Sequence, residues 1–432
     1  MLRRKISEKL RIWKQSEHKM CLLVEGARQV GKTFSILEFG HEEYQNLVYL
    51  NFEESPEYRQ IFDGGLSVDE LIAQISLFVP DVRMVPRETL IFLDEIQSCP
   101  NARTALKFLS IDGRFDVIAS GSLLGIGYAD VSSFPVGYVD RLKMTSLDFE
   151  EFLWARGVDE AGVAYLKGYF DSGDPVPQAV HDRFMRLFKD YVVIGGMPRV
   201  VERFVETNSY AEVLRIQRGI IADYEDDIAK YAEGSAKARA RACFLSIPRQ
   251  LARDYKKFSY AVVEKGSGAR KFGGSLQWLH DAGIIIYCHN LERPERPFEG
   301  NVRLDAFKVY MADTGLLVSM LEDGSQRDVI NGDMGIYKGA LYENIVADIF
   351  AKSGKKLYYF EKNSKIEVDF FIRFEDKTTA VEVKSSTNRK SKSMDSMIEN
   401  YGVPQGIKLS PSNMGKQGDR VRVIPLYMAM FL

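Results

Sequence analysis

MCLLVEGARQVGKTFSILEF, residues 20–39, passes from a short apolar run into a glycine-bearing loop and out into an amphipathic pattern. Strand, loop and helix in that order are the context a phosphate-binding loop requires. Gly26 and Gly31 let the backbone bend so that successive N–H groups face one point, and a helix opening near Lys32 aims its positive dipole end there. Ala27, Arg28, Gln29 and Val30 complete the cradle, and Phe34 is assigned with them to nucleotide binding. Lys32 reaches the β- and γ-phosphates, while the Thr33 hydroxyl can ligate Mg²⁺. The segment predicts an ATP and Mg²⁺ site.

Such a site also needs a carboxylate for the metal and a group that orients the attacking water. LIFLDE at residues 90–95 supplies both at the end of four large apolar residues, the pattern of a parallel strand covered on both faces. Asp94 is assigned to the metal, with Thr33, and Glu95 to the nucleophile. An acidic pair ending a strand also opens helices, but beside the loop upstream the site reading is preferred.

Two further strands are expected at residues 47–52 and 115–119. A strand between the loop and the acidic strand is the order of the ATPase branch that carries a catalytic glutamate. Ser67 to Glu70 spells a capping box, opening a helix with Leu71, Ile72, Ile75 and Val79 on its apolar face. The result is an α/β fold, a P-loop NTPase parallel sheet. Ser120 and Ser122, ending their strand, can sense a γ-phosphate or simply cap the loop. Arg141 is a candidate for stabilising transferred charge, in cis or across a subunit boundary, or for a surface ion pair.

The chain has 432 residues, 45% of them hydrophobic and 27% charged, with a net charge of −2. That length suggests about two to four domains. No apolar run approaches a membrane span, and no signal sequence is evident, so a cytoplasmic location is expected. Cys21, Cys99, Cys243 and Cys288 are too dispersed for a disulfide framework or a structural zinc. The net charge gives no bias towards nucleic acid.

These motifs, with residues 133–157 (SFPVGYVDRLKMTSLDFEEFLWARG) and 195–201 (GGMPRVV), closely resemble prokaryotic AAA-type ATP-binding proteins whose C-terminal region is a domain of unknown function. The likeness continues through YEDDIAKY at 224–231, FKVYMADTGLL at 307–317, LYENIV at 341–346, EVDFFI at 367–372 and VEVKSS at 381–386. In one departure, relatives often place Gly and Arg side by side after the fourth strand, whereas Gly137 and Arg141 are separated here.

Four segments are expected: the ATPase domain at 1–147, a helical lid at 148–242, a winged-helix-like unit at 243–332 and an α/β restriction-endonuclease-like domain at 333–432. The lid follows from three- and four-residue apolar spacing, with Gly195–Gly196 as an interhelical turn or a bend over the phosphate loop. The winged helix follows from short helices before a strand pair, and the resemblance implies one too. Lys256, Lys257, Lys265, Arg270 and Lys271 there can meet phosphate or form a solvated face.

In the last segment, alternation along two strands places Glu382 and Lys384 on one face, beside Asp369 if the strands pair. Asp369 and Glu382 binding Mg²⁺, with Lys384 steadying a water, is the D…ExK layout of restriction-endonuclease-like phosphodiesterases, with Glu343 adding a further contact. Salt-bridge decoration of half-exposed strands is the alternative. The basic loop at 385–392 suits a phosphate backbone or a flexible tip. The combined expectation is an ATPase whose Mg²⁺-dependent turnover drives a conformational switch, with nucleic acid and nucleotide-dependent self-association as candidate partners and no membrane. The rival expectation is a nucleotide-gated binding protein or signalling scaffold with little turnover.

Overall fold

The first third of the chain forms five parallel strands, the last of them the mainly polar edge segment VDRLK. They are β1 (Cys21–Gly26), β2 (Asn46–Asn51), β3 (Thr89–Asp94), β4 (Asp116–Ser122) and β5 (Val139–Lys143), in the sheet order β2-β3-β4-β1-β5. The computed structural model describes residues 2–79, 81–122, 137–231, 235–333, 335, 337–362, 366–386 and 392–432. Residues 133–136 of the family-like string and residues 387–391 of the expected basic loop lie outside the described residues.

All six residues of β3 are buried, and their alternation divides the core in two. Leu90 and Phe92 pack with Leu22, Val24, Ile118 and the helices α1 (Lys5–Gln15) and α2 (Lys32–Glu43), through Leu10, Ile36 and Phe39. Ile91 and Leu93 face the other way, onto α3 (Val68–Phe78) and α4 (Pro100–Asp112), through Leu71, Ile75, Ala105 and Leu106. A parallel sheet needs cover on both faces, which is why its strands read as unbroken apolar runs. The capping box expected at Ser67 does not form: Ser67 is the N-cap, but its side chain makes no cap bond.

The chain divides into two compact units, Arg3–Ser146 with Asp281–Gly283, and the remainder, chiefly Leu147–His280 and Ile284–Leu432. The second unit opens with a capping box that the sequence reading passed over. Glu151 N–H donates to Asp148 Oδ1 at 2.9 Å, and Asp148 N–H donates to Glu151 Oε2 at 3.0 Å. Helices then follow at Phe149–Ala155, Glu160–Ser172, Gln178–Ile194, Pro198–Thr207, Tyr210–Tyr231 and Ser235–Leu251.

Eight strands follow: β6 (Ile285–Leu291), β7 (Val302–Met311), β8 (Leu357–Lys362), β9 (Ile366–Phe374), β10 (Lys377–Val383), β11 (Gln405–Ser410), β12 (Gly415–Gln417) and β13 (Val421–Pro425). They form one mixed sheet in the order β12-β13-β11-β10-β9-β8-β6-β7. The β6–β7 hairpin expected to belong to a separate winged-helix-like unit is thus two strands of the C-terminal sheet, because β6 pairs in parallel with β8 through Cys288↔Leu357 and His289↔Tyr358. Strand pattern alone does not say which strand an open edge will find.

Gly195–Gly196 forms a tight turn after the helix Gln178–Ile194. Gly195 has φ 72°, and Gly196 N–H donates to Asp313 Oδ2 at 2.8 Å while its carbonyl accepts from Leu147 N–H at 2.7 Å. A Cβ on Gly196 would lie 2.0 Å from the Leu147 carbonyl oxygen, so backbone would have to move. Gly196→Ala is therefore expected to cost about 1–3 kcal/mol or more of stability. Urea unfolding of the two proteins checks this; coincident midpoints would show that the contact is not tight.

Candidate functional site

The carboxyl edge of the five-stranded sheet gathers the predicted groups. Gly26 ends β1 against β5: a Cβ there would lie 2.3 Å from the Met144 carbonyl oxygen, so only glycine fits. Gln29 (φ 63°) and Gly31 (φ 94°) take left-handed conformations that curl the loop into the start of α2. Arg4 clamps the loop, donating to the Val30 carbonyl at 3.0 Å and to the Thr145 carbonyl at 2.7 Å. Val30 is buried in the core and Phe34 is exposed.

Lys32 is 7% exposed, and its ammonium donates to the carbonyl oxygens of Gly26 at 3.1 Å and Ala27 at 2.9 Å. Burial lowers its pKa, with the Glu95 and Asp94 charges opposing and Arg28 adding to the fall. An ammonium set inside a bent loop at a helix N-terminus is an anion cradle.

Asp94 is 1% exposed and collects donors from the surrounding elements. Thr33 Oγ1 donates to its Oδ2 at 2.8 Å, Tyr49 OH to Oδ2 at 3.2 Å, Glu95 N–H to Oδ1 at 3.1 Å, and Ser120 Oγ also donates to Oδ1. The structure thus brings Thr33, Asp94 and Ser120 together. Tyr49, which the sequence reading missed, is oriented in turn by Asn51 Nδ2 at 3.0 Å. Its position two residues before the end of β2, paired in register with Phe92, is the signal that could have found it.

Glu95 follows with φ 53°, an uncommon conformation for a residue other than glycine, which turns its side chain out of the strand's alternation. Gln97, also missed, donates its amide to Glu95 Oε2. Arg141 sits on the edge strand β5, half exposed, with Nη1 3.2 Å from Glu25 Oε1.

The second constellation lies in the other unit. Glu343, on the buried helix Tyr337–Lys352, accepts from Lys308 Nζ at 2.9 Å and from Tyr310 OH on Oε1, and from Lys256 Nζ on Oε2. Lys308 also meets Glu367 Oε1 at 2.6 Å and Asp369 Oδ1 at 4.0 Å. Asp369 Oδ2 accepts the Val383 N–H at 2.8 Å, and Glu382 Oε1 pairs with Lys384 at 2.6 Å. Glu343 and Asp369 therefore share Lys308, whereas Glu382 and Lys384 answer each other. Burial works against the Glu343 charge, yet Lys256 and Lys308 outweigh it and lower its pKa. Burial, then the Glu343 charge, raises that of Asp369. Of the five cations expected to meet phosphate, Lys256 is thus turned inward, and Lys271 pairs with Glu264 at 2.5 Å. The cysteines are free, buried thiols.

Residues 18–153 match the family model described as "AAA domain". The groups described above, from the loop before α2 through Glu95 to Arg141, all fall inside these matched residues. Residues 185–327 and 338–429 match two domains of unknown function, DUF8612 and DUF4143. An uncharacterized protein of Haemophilus influenzae is 24% identical over 188 residues, covering 41% of this chain; the match spans 40% of that relative's length.

Among solved structures, a Walker-type ATPase of Pyrococcus abyssi is 13% identical, covering 74% of this chain and 96% of that one, with a TM-score of 0.43. The AMPPCP-bound DnaA of Aquifex aeolicus is 12% identical, covering 64% and 86%, with a TM-score of 0.29. At these TM-scores the likeness carries no functional weight. Among the described residues no helix is long and apolar enough to cross a membrane.

Burial is the main influence raising the pKa of Glu95, while the Gln97 hydrogen bond and the Lys32 charge pull it back. The charge on Glu95 should accordingly be lost at a higher pH than that of an ordinary glutamate as the solution is acidified. Removing the Gln97 donor should raise that pH further. Carbon-13 titration of the Glu95 carboxyl in the wild type and in Gln97→Leu checks both signs; a lower titration point in the variant would refute the assigned hydrogen bond.

Proposed function

We propose that the chain is an AAA-type ATPase in which hydrolysis of Mg²⁺-ATP drives a conformational switch. The observation that carries this reading is the 2.8 Å hydrogen bond between Thr33 Oγ1 and Asp94 Oδ2, with the Lys32 ammonium set in the adjoining loop. Hydroxyl and carboxylate from two separate motifs come together, and both are oxygen donors that would suit Mg²⁺, so Thr33 and Asp94 would hold the ion. Magnesium, when bound, would neutralise charge on the β- and γ-phosphates.

The chain's own groups do the rest. Loop amides and Lys32 hold the phosphates; the ammonium exchanges its bonds to the Gly26 and Ala27 carbonyls for bonds to phosphate oxygens. Ser120 and Tyr49 keep the Asp94 carboxylate oriented from the flanking strands. Glu95, turned out of β3 by its left-handed backbone, accepts a hydrogen bond from the attacking water, and Gln97 sets its carboxylate in place. Loss of the γ-phosphate frees Lys32 to return to its loop carbonyls, a two-position element of the kind that switches need. Nucleic acid is a partner the second unit can meet through Lys257, Lys265 and Arg270, the remainder of the expected basic set.

ATP turnover and binding in the wild type, Lys32→Ala and Glu95→Gln test the proposal. Truncating one partner of a buried charge pair costs about 2–5 kcal/mol, so Lys32→Ala should lose most of its nucleotide affinity. Glu95→Gln should keep its affinity while kcat falls by about 10²- to 10⁴-fold, the usual worth of a positioned general base. Undiminished turnover in Glu95→Gln would remove Glu95 from its role. Absence of steady turnover in the wild type, with tight nucleotide binding, would leave the nucleotide-gated scaffold as the better reading.

A further inference from the structure

A restriction-endonuclease-like core, which the sequence resemblance implies for the C-terminal domain, carries a divalent cation on its carboxylates. The donor set here does not fit one. Lys308 stands in the interior of β7, opposite Cys288 of β6, and is fully buried. Strand alternation sends Phe307, Val309 and Met311 to one face and Lys308 and Tyr310 to the other. Both of the latter meet Glu343 Oε1.

The helix that carries Glu343 is pinned to the same strand one residue later: Asn344 accepts from Met311 N–H at 2.8 Å and donates to the Met311 carbonyl at 3.1 Å. The helix and β7 therefore hold the carboxylate and the ammonium in a fixed relation. That ammonium lies 2.9 Å from Glu343 Oε1, 2.6 Å from Glu367 Oε1 and 4.0 Å from Asp369 Oδ1, with the Tyr359 ring centroid 4.8 Å away. An ammonium has three hydrogens to place, and the carboxylates of Glu343 and Glu367 take two at hydrogen-bond distance.

Most of the carboxylate oxygens around Lys308 are already engaged. Glu343 Oε2 holds Lys256, Asp369 Oδ2 holds the Val383 amide, and Glu382 Oε1 meets Lys384, while Glu382 Oε2 is buried without a hydrogen-bond partner. Mg²⁺ requires oxygens at about 2.0–2.1 Å in near-octahedral array. Here the space where the Glu343, Glu367 and Asp369 carboxylates converge is filled by nitrogen. A dication entering it would displace Lys308 from a site with no exposure, leaving the ammonium buried beside a like charge. Among the described residues, no three His, Cys, Asp or Glu side chains are grouped so as to hold a metal ion.

We propose that Lys308 is a resident cation that takes the place of the divalent metal in this core, tying β7, β9 and the helix Tyr337–Lys352 together and leaving the domain without a metal-activated water. The proposal is independent of the nucleotide site. It makes the C-terminal domain a fold element or recognition surface in which the carboxylates serve as internal ion-pair partners. Its D…ExK residues are retained in sequence, but they are divided between two separate pairings.

Manganese titration of the full chain without nucleotide, followed by electron paramagnetic resonance, tests it. Wild type and Asp369→Asn should give superimposable binding curves. Lys308→Met should gain one additional Mn²⁺ per chain, and the double variant Lys308→Met/Asp369→Asn should lose it again. A wild-type Mn²⁺ site that weakens by about tenfold or more in Asp369→Asn, the size of a lost ligand-sphere contact, overturns the proposal. So does a Lys308→Met protein that keeps its near-ultraviolet circular dichroism and gains no site. Should Lys308→Met fail to fold, the comparison of wild type with Asp369→Asn decides the matter alone.

Discussion

A buried carboxylate deprived of hydrogen-bond donors is among the most costly things a fold can contain, and Asp94 shows how this one meets the cost. Its donors come from α2 (Thr33), β2 (Tyr49), β4 (Ser120) and its own chain (Glu95 N–H). Each donor depends on a different crossover. Satisfying them together requires β2, β3 and β4 to lie side by side, with α2 beginning where β1 ends. The apolar cores on the two faces of the sheet supply most of the stabilisation, but they tolerate sliding; a carboxylate with fixed donors on both flanks does not.

The two carboxylate clusters are instructive side by side. Among the described residues the hydrogen bonds to Asp94 come from neutral hydroxyls and an amide, and the nearby ammonium of Lys32 bonds to loop carbonyls instead. Glu343 is gripped by the ammoniums of Lys308 and Lys256. A carboxylate held by neutral donors keeps an attraction for an incoming cation, whereas one held by ammoniums has already satisfied it. The residue types alone look equally metal-like in both places.

That contrast explains what could be read in advance. The phosphate loop, β3 and the parallel sheet were legible because each is written in consecutive residues: an apolar run, a glycine pair, an acidic terminus. Thr33 and Asp94, assigned together to one metal, lie within hydrogen-bond distance, whereas Ser120, read as a γ-phosphate sensor or a loop cap, donates to Asp94. Tyr49 and Gln97 escaped notice because their importance lies in which strand or turn they face, and no local pattern records it. Ser67 has the letters of a capping box without the bond, while Asp148 and Glu151 make the bond. Lys308, inside FKVYM, resembles an ordinary solvent-facing strand residue, and only the helix Tyr337–Lys352, which brings Glu343 from 35 residues later, makes it internal. The hairpin of β6 and β7 likewise looked self-contained until β8 supplied its neighbour.

The turn at Gly195–Gly196 has a consequence for the order in which the chain acquires its shape. The Gly196 amide is satisfied by a side chain 117 positions downstream, Asp313, and the carbonyl by Leu147, 49 positions upstream. As the ribosome releases the polypeptide from its amino end, the helices between these points emerge well before Asp313 does. They must wait as loosely associated segments, their connecting bend incomplete, until roughly three quarters of the chain has been translated; such distant closures slow folding. The five-stranded sheet, whose strands pair within residues 21–143, has no such delay, so its strands can close while the longer remainder of the nascent chain still awaits its keystone.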